Sequence, residues 1–159
     1  MEDIKKLFFY YLGEALLLVF IGLAFFGRRL SWPRLLAVSG AYGFSIWVVR
    51  GVYKIYGIPF GSHTLILTLL LFLWIKFIGK MDWDIAVGAS LTGMTLILLG
   101  SWFTDFIVNK LNIKWRLILD NLWLHILFGY TENIFLILML ALNKFFNFTF
   151  VKAFNIGAD

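Results

Sequence analysis

The sequence predicts an all-α fold: a polytopic integral membrane helical bundle with about five transmembrane helices and one interfacial amphipathic helix, in a single domain over 1–159. Three observations lead there. Hydrophobic residues make up 62% of the chain, aromatic residues 19% and charged residues only 14%, with a mean hydropathy of +0.89. A soluble domain of this size leaves a large share of its surface in water and has nowhere to hide so much apolar area. The apolar residues also fall into runs long enough to cross a hydrocarbon core about 30 Å thick. Finally, stretches such as 65–72 and 134–142 are continuously apolar, whereas barrel strands alternate. A helix satisfies its own backbone in lipid, so no sheet is needed.

The first span is expected over 8–27 and ends at the basic turn Arg28-Arg29. It is not a cleavable signal peptide, because Arg28, Arg29 and Arg34 follow it in place of a small-residue cleavage site. The second span covers 34–52 and the third 64–78. Between them, Pro59 with Gly57 and Gly61 enforces a tight re-entry, and Ser62 or Thr64 can cap the third helix. The fourth span covers 83–106 and the fifth 123–142. The intervening stretch 109–122 sets Ile113, Trp115 and Leu117 among Lys110, Lys114, Arg116 and Asp120. That pattern predicts a short amphipathic helix lying in the interface, with a lid over a site between helices as the alternative. Tyr10, Trp32, Tyr53, Tyr56, Trp83, Trp102 and Trp123 fall near span ends, where amphipathic rings prefer headgroup level. Trp47 and Trp74 lie deeper, as packing residues.

Net charge is +5, but Lys and Arg cluster at span ends, so anionic headgroups of the lipid bilayer are the expected partners and nucleic acid is not. The short loop from Gly27 to Arg34 carries three arginines and no acid. Placing it in the cytoplasm puts the N-terminus outside and the C-terminus, with Lys144 and Lys152, inside the cell membrane. The 14 Lys and Arg then divide seven to seven, so the charge rule rests on that loop alone. Cysteine is absent, which excludes disulfides, thiolate ligands and a cysteine nucleophile.

Small residues mark helix contacts. Ala86, Ala89, Ser90, Gly93 and Gly100 share a stripe of the fourth span, and Ser39 and Gly43 make a similar pair in the second. Such stripes let backbones approach closely. Packing within the chain and a homo-oligomer seam both fit the spacing.

Ionisable residues inside the spans are the candidates for function, because each is costly in lipid unless paired or protonated. Glu14 lies within the first span, as a proton-linked group, a counter-charge or one half of a structural pair. Arg50 and Lys54 sit one turn apart, and either snorkel to the interface or form a cationic pocket in which Arg50 holds a carboxylate or phosphate bidentately. His63 falls in the first turn of the third helix, at the same face as Arg50. His125 and Glu132 share one face of the fifth span two turns apart, too far to touch. Two histidines without close-spaced ligands make a poor metal site. No phosphate-cradling loop, serine nucleophile motif or HExxH helix occurs. No catalytic residue, metal or cofactor is expected, and the protein is read as non-enzymatic.

The series Gly13-Glu14-Ala15-Leu16-Leu17, Trp32-Pro33-Arg34, Arg50 and Gly57-Ile58-Pro59-Phe60-Gly61-Ser62-His63-Thr64-Leu65 resembles the multi-span N-terminal membrane region of Firmicutes sensor histidine kinases of the Spo0B and GHKL types, relatives of peptide quorum-sensing receptors. Leu99-Gly100-Ser101-Trp102, the amphipathic linker and the fifth span follow the same layout. The resemblance covers nearly the full chain, and Pro59 to Thr64 is its most distinctive part. It implies an outside N-terminus, five or six spans and signal detection by the membrane region. The phosphoacceptor His and ATP-binding glycine boxes of the kinase module do not occur in these residues, so a separate cytoplasmic or membrane signalling partner is expected to carry the output. The leading expectation is a sensor-like or accessory subunit that binds a signal or partner near Arg50 and His63 and transmits it by helix shifts. The alternatives are a small transporter or channel lined by Glu14, Arg50, Lys76, His125 and Glu132, and a structural subunit of a larger membrane complex.

Overall fold

The computed structural model describes residues 3–58, 62–146 and 148–149, the side chain at 119 excepted. Pro59, Phe60 and Gly61, the centre of the expected re-entry, lie outside the described residues, as does Lys152. The described residues are helical throughout, with turns between and no strand. Helix α1 runs Ile4–Phe25, α2 Trp32–Tyr56 and α4 Trp83–Lys110. Helix α3 runs Ser62–Phe77, α5 Trp115–Asp120, α6 Leu122–Glu132 and α7 Ile134–Phe146.

Three of these, α1, α2 and α4, are long and apolar enough to cross a membrane, and the pair α6–α7 makes a fourth if counted as one span. Helix α3 is apolar but 16 residues long, or about 24 Å. The expected fifth span is not one straight helix: α6 and α7 meet at a bend of 45°. The expected interfacial stretch is shorter than its sequence pattern, because α4 continues to Lys110 and α5 holds only 6 residues.

Local chemistry sets the ends. Asp3 caps α1 by accepting from the Lys5 amide at 2.9 Å. At the other end Gly27 adopts a left-handed φ of 66°, so the Arg28 amide donates to Leu23 O and the Gly27 amide to Ala24 O, closing the helix in a Schellman turn. Pro33 opens α2, where a missing amide costs nothing, and Gly57 ends it with a φ of 61°. Asn121 caps α6 by accepting from the Trp123 and Leu124 amides.

Helix α1 is the centre of the bundle. It packs against α2, α4 and α7, while α3 sits between α2 and α4. Close approach depends on glycine. A Cβ on Gly22 would come 2.7 Å from the Ala89 carbonyl oxygen, and one on Gly93 would strike Leu18. One on Gly43 would strike Leu12, and one on Gly100 would collide with the Glu132 backbone. Ser39, Ala86 and Ala89 are buried as well. The glycine contacts of the stripe face this chain's own helices.

The aromatic expectation divides. Trp32, Tyr56, Trp83, Trp102 and Trp123 are exposed on the outside of the bundle, but Tyr10 and Tyr53 are buried. Tyr53 is turned inward by a 2.8 Å hydrogen bond with the Ser62 hydroxyl. Trp74 donates to Ser45 Oγ at 3.0 Å, tying α3 to α2.

Candidate binding site at one end of the bundle

Up-and-down topology gathers the start of α1, the end of α2, the start of α3, the end of α4, and α5 with the start of α6 at one end. A cavity of about 580 Å³ opens there, within the range of small-molecule sites. Arg50 and Lys54 of α2 and His63 of α3 form one part of its wall. His125, Gly129 and Glu132 of α6 form another, and Trp115 and Asp120 bring α5 over it. Lys6, Tyr10 and Tyr11 of α1 complete the lining.

A π-helical turn over Leu7–Tyr11 interrupts α1 at this point. Such turns hold one residue more than the α turn they replace and recur at functional sites. Both tyrosines of the turn are buried, with ring centroids 5.1 Å apart. The Tyr10 hydroxyl donates to Glu132 Oε2 at 3.2 Å and interacts with the Glu14 carboxyl one turn along its own helix. Its ring fits because position 129 is glycine: a Cβ there would come 2.6 Å from the ring. Tyr10 thus joins two carboxylates from different helices.

The Arg50 guanidinium lies over the Tyr11 ring, 5.1 Å from its centroid, in cation–π geometry. It acts electrostatically on Glu14, Glu132 and His63. Among the described residues it makes no ion pair within 4.0 Å, and its buried Nε has no hydrogen-bond partner. Glu14 is 4% exposed, and its Oε2 also lacks a hydrogen-bond partner. Opposite charges therefore share one site without closing into contact. His63 stacks edge-on against Tyr53, with ring centroids 5.7 Å apart.

Glu132 is the last residue of α6, so the wall of the cavity ends at the 45° bend. Asn133 sits in the bend, buried, its Nδ2 donating to Gly129 O at 3.3 Å while its Oδ1 has no partner. The Thr104 and Thr131 hydroxyls pair at 2.8 Å and fasten α6 to α4.

Of the sequence candidates, Arg50, His63, His125 and Glu132 meet at the cavity, with Glu14 joined through Tyr10. Lys76 is elsewhere. Its ammonium donates to Met81 O at 2.9 Å and lies over Trp83, pinning the far-end loop between α3 and α4. Sequence reasoning missed Lys6, Tyr11, Ser101 and Asp120 as cavity residues and placed Tyr10 at the lipid interface. The available signal was the spacing of Tyr10 and Glu14, which puts a phenol one turn from an intramembrane carboxylate. No group of three or more acidic or histidine side chains is arranged to hold a metal among the described residues.

The chain matches no family model, no curated protein and no solved structure.

Proposed function

We propose that this is a non-enzymatic membrane protein, sensor-like or an accessory subunit, whose cavity binds a small ligand, or a group of a partner protein, through an anionic end. The observation that carries the reading is Arg50: a guanidinium at the wall of a 580 Å³ cavity, with a buried and unpartnered Nε. Leaving a charge without a close partner in low dielectric costs several kcal/mol, and an incoming anion recovers that cost through charge-assisted hydrogen bonds. Lys54, one turn away, adds a second positive charge at the same mouth.

Transmission in this reading runs through the bend. Glu132 belongs both to the cavity and to the break between α6 and α7, so a ligand that changes its contacts changes the angle at which α7 leaves. In this reading α3 and the α6–α7 pair also cross the bilayer, making five spans, with α5 in the interface and the cavity outside. The resemblance to the membrane region of sensor histidine kinases supports the same direction of signalling, toward a separate cytoplasmic or membrane partner. Buried carboxylates beside a broken helix favour transport as a second reading.

Two measurements test these readings. Calorimetric titration of the detergent-purified protein with inorganic phosphate and with acetate should give saturable binding that Arg50→Gln abolishes. Spin labels on cysteines placed at Leu127 and Leu138, both exposed and flanking the bend, should change separation when phosphate is bound. Absence of binding to either anion would sink the proposal, and an unchanged distance would remove the bend from it. Solute flux in proteoliposomes that Glu14→Gln stops would turn the assignment to transport.

A further inference from the structure

The wall of the cavity carries both signs of charge. Arg50 and Lys54 lie on α2, while Glu132 ends α6 and Asp120 ends α5. A structural ion pair of Arg50 with Glu132 would close to contact, because attraction is strongest at contact and desolvation is already incurred on burial. Here it does not close. Glu132 is held instead by the Tyr10 hydroxyl at 3.2 Å, while Arg50 is held on the face of the Tyr11 ring at 5.1 Å. Two consecutive tyrosines of the π turn thus anchor the opposite charges separately. Asp120 reaches Arg116 at 3.6 Å, but both side chains are well exposed, and such a pair is worth little.

Resting on the anion-binding reading above, we infer that the ligand is dipolar: a small molecule or headgroup with a phosphate or carboxylate at one end and a primary ammonium at the other. The anion docks between Arg50 and Lys54, where a planar guanidinium can give two parallel hydrogen bonds. The ammonium docks on Glu132, with Asp120 adding negative charge at the rim. Trp115, beside them on α5, covers the apolar middle of such a ligand. A simple anion satisfies only half of this wall and leaves Glu132 facing its charge. Two sources offer the same chemistry: a phosphoethanolamine lipid headgroup and a free zwitterion.

The test uses the full-length protein in maltoside detergent and calorimetric titration with four probes: phosphoethanolamine, β-alanine, inorganic phosphate and methylammonium. Phosphoethanolamine should bind at least tenfold more tightly than phosphate or methylammonium, and Glu132→Gln should erase that ratio. If phosphate binds as tightly as phosphoethanolamine, the dipolar inference falls and the anion-binding reading stands. If no probe saturates, both fall. The ratio measured on the unaltered protein decides the matter even where a variant does not fold. Repeating the titration in phosphatidylethanolamine nanodiscs separates the sources. A tenfold loss of phosphoethanolamine affinity there assigns the site to lipid, and unchanged affinity assigns it to a soluble molecule.

Discussion

At the scale of single residues, Tyr10 is the joint of the site. Its hydroxyl serves carboxyls from two helices, and its ring fills the space left by Gly129. Tyr10→Phe keeps the ring and removes the donor, which leaves Glu132 short of a partner in a partly buried place. The expected cost is about 1–3 kcal/mol, read as a lower thermal midpoint in detergent. Gly129→Ala should cost a similar amount by pressing a methyl against the ring. The odd charges at Glu14, Arg50, His125 and Glu132 were legible in the sequence, since each stands out in an apolar run. Their convergence was not, because it depends on how three helices are turned about their own axes. Tyr10 was misplaced for the same reason: a tyrosine near a span end suits the interface or the interior equally well, and only the π turn decides.

At the scale of elements, glycine positions separate into those that touch and those that do not. Gly100 lies against the backbone of α6, whereas a Cβ on Gly40 would meet nothing within 4 Å. Gly100→Ala should therefore unseat α6 from α4 and lower stability by at least about 1 kcal/mol. Gly40→Ala, within α2, should raise it by about 0.5–1 kcal/mol. Parallel thermal melts in one detergent check both. The small-residue stripe of α4 was visible as spacing, but spacing does not say which backbone comes close. The contacts of Gly93 with Leu18 and of Gly22 with Ala89 answer that for α1. The break between α6 and α7 falls at the polar triplet Thr131-Glu132-Asn133, and it was hidden because hydropathy averages such a triplet into the apolar residues on either side and counts composition rather than direction.

At the scale of the whole molecule, the two ends of the bundle differ in kind. One holds the cavity, with Arg50, His63 and α5. The other holds the exposed Arg28 and Arg29 and the Lys76 pin. In the orientation proposed above, with the N-terminus outside, the cavity faces the exterior. The cysteine-free sequence makes this simple to check. A membrane-impermeant maleimide applied to intact cells should label Lys54→Cys and spare Arg28→Cys, and the reverse pattern would invert the orientation. Membrane class followed from composition because apolar area must go somewhere. The side of the membrane did not, because the basic residues divide evenly.

The π turn of α1 gives the chain a spare residue. Deleting one position within Leu7–Tyr11 lets the segment wind as a plain α-helix, and the turn before it keeps its direction, because the wide turn had absorbed the extra residue. The core below would keep its packing, since Ala15, Leu18 and Val19 come after the slip. Lys6 would stay at the cavity wall. The extra residue is therefore absorbed inside the turn itself, widening the backbone where Tyr10 and Tyr11 both line the cavity and leaving the helix in line on either side.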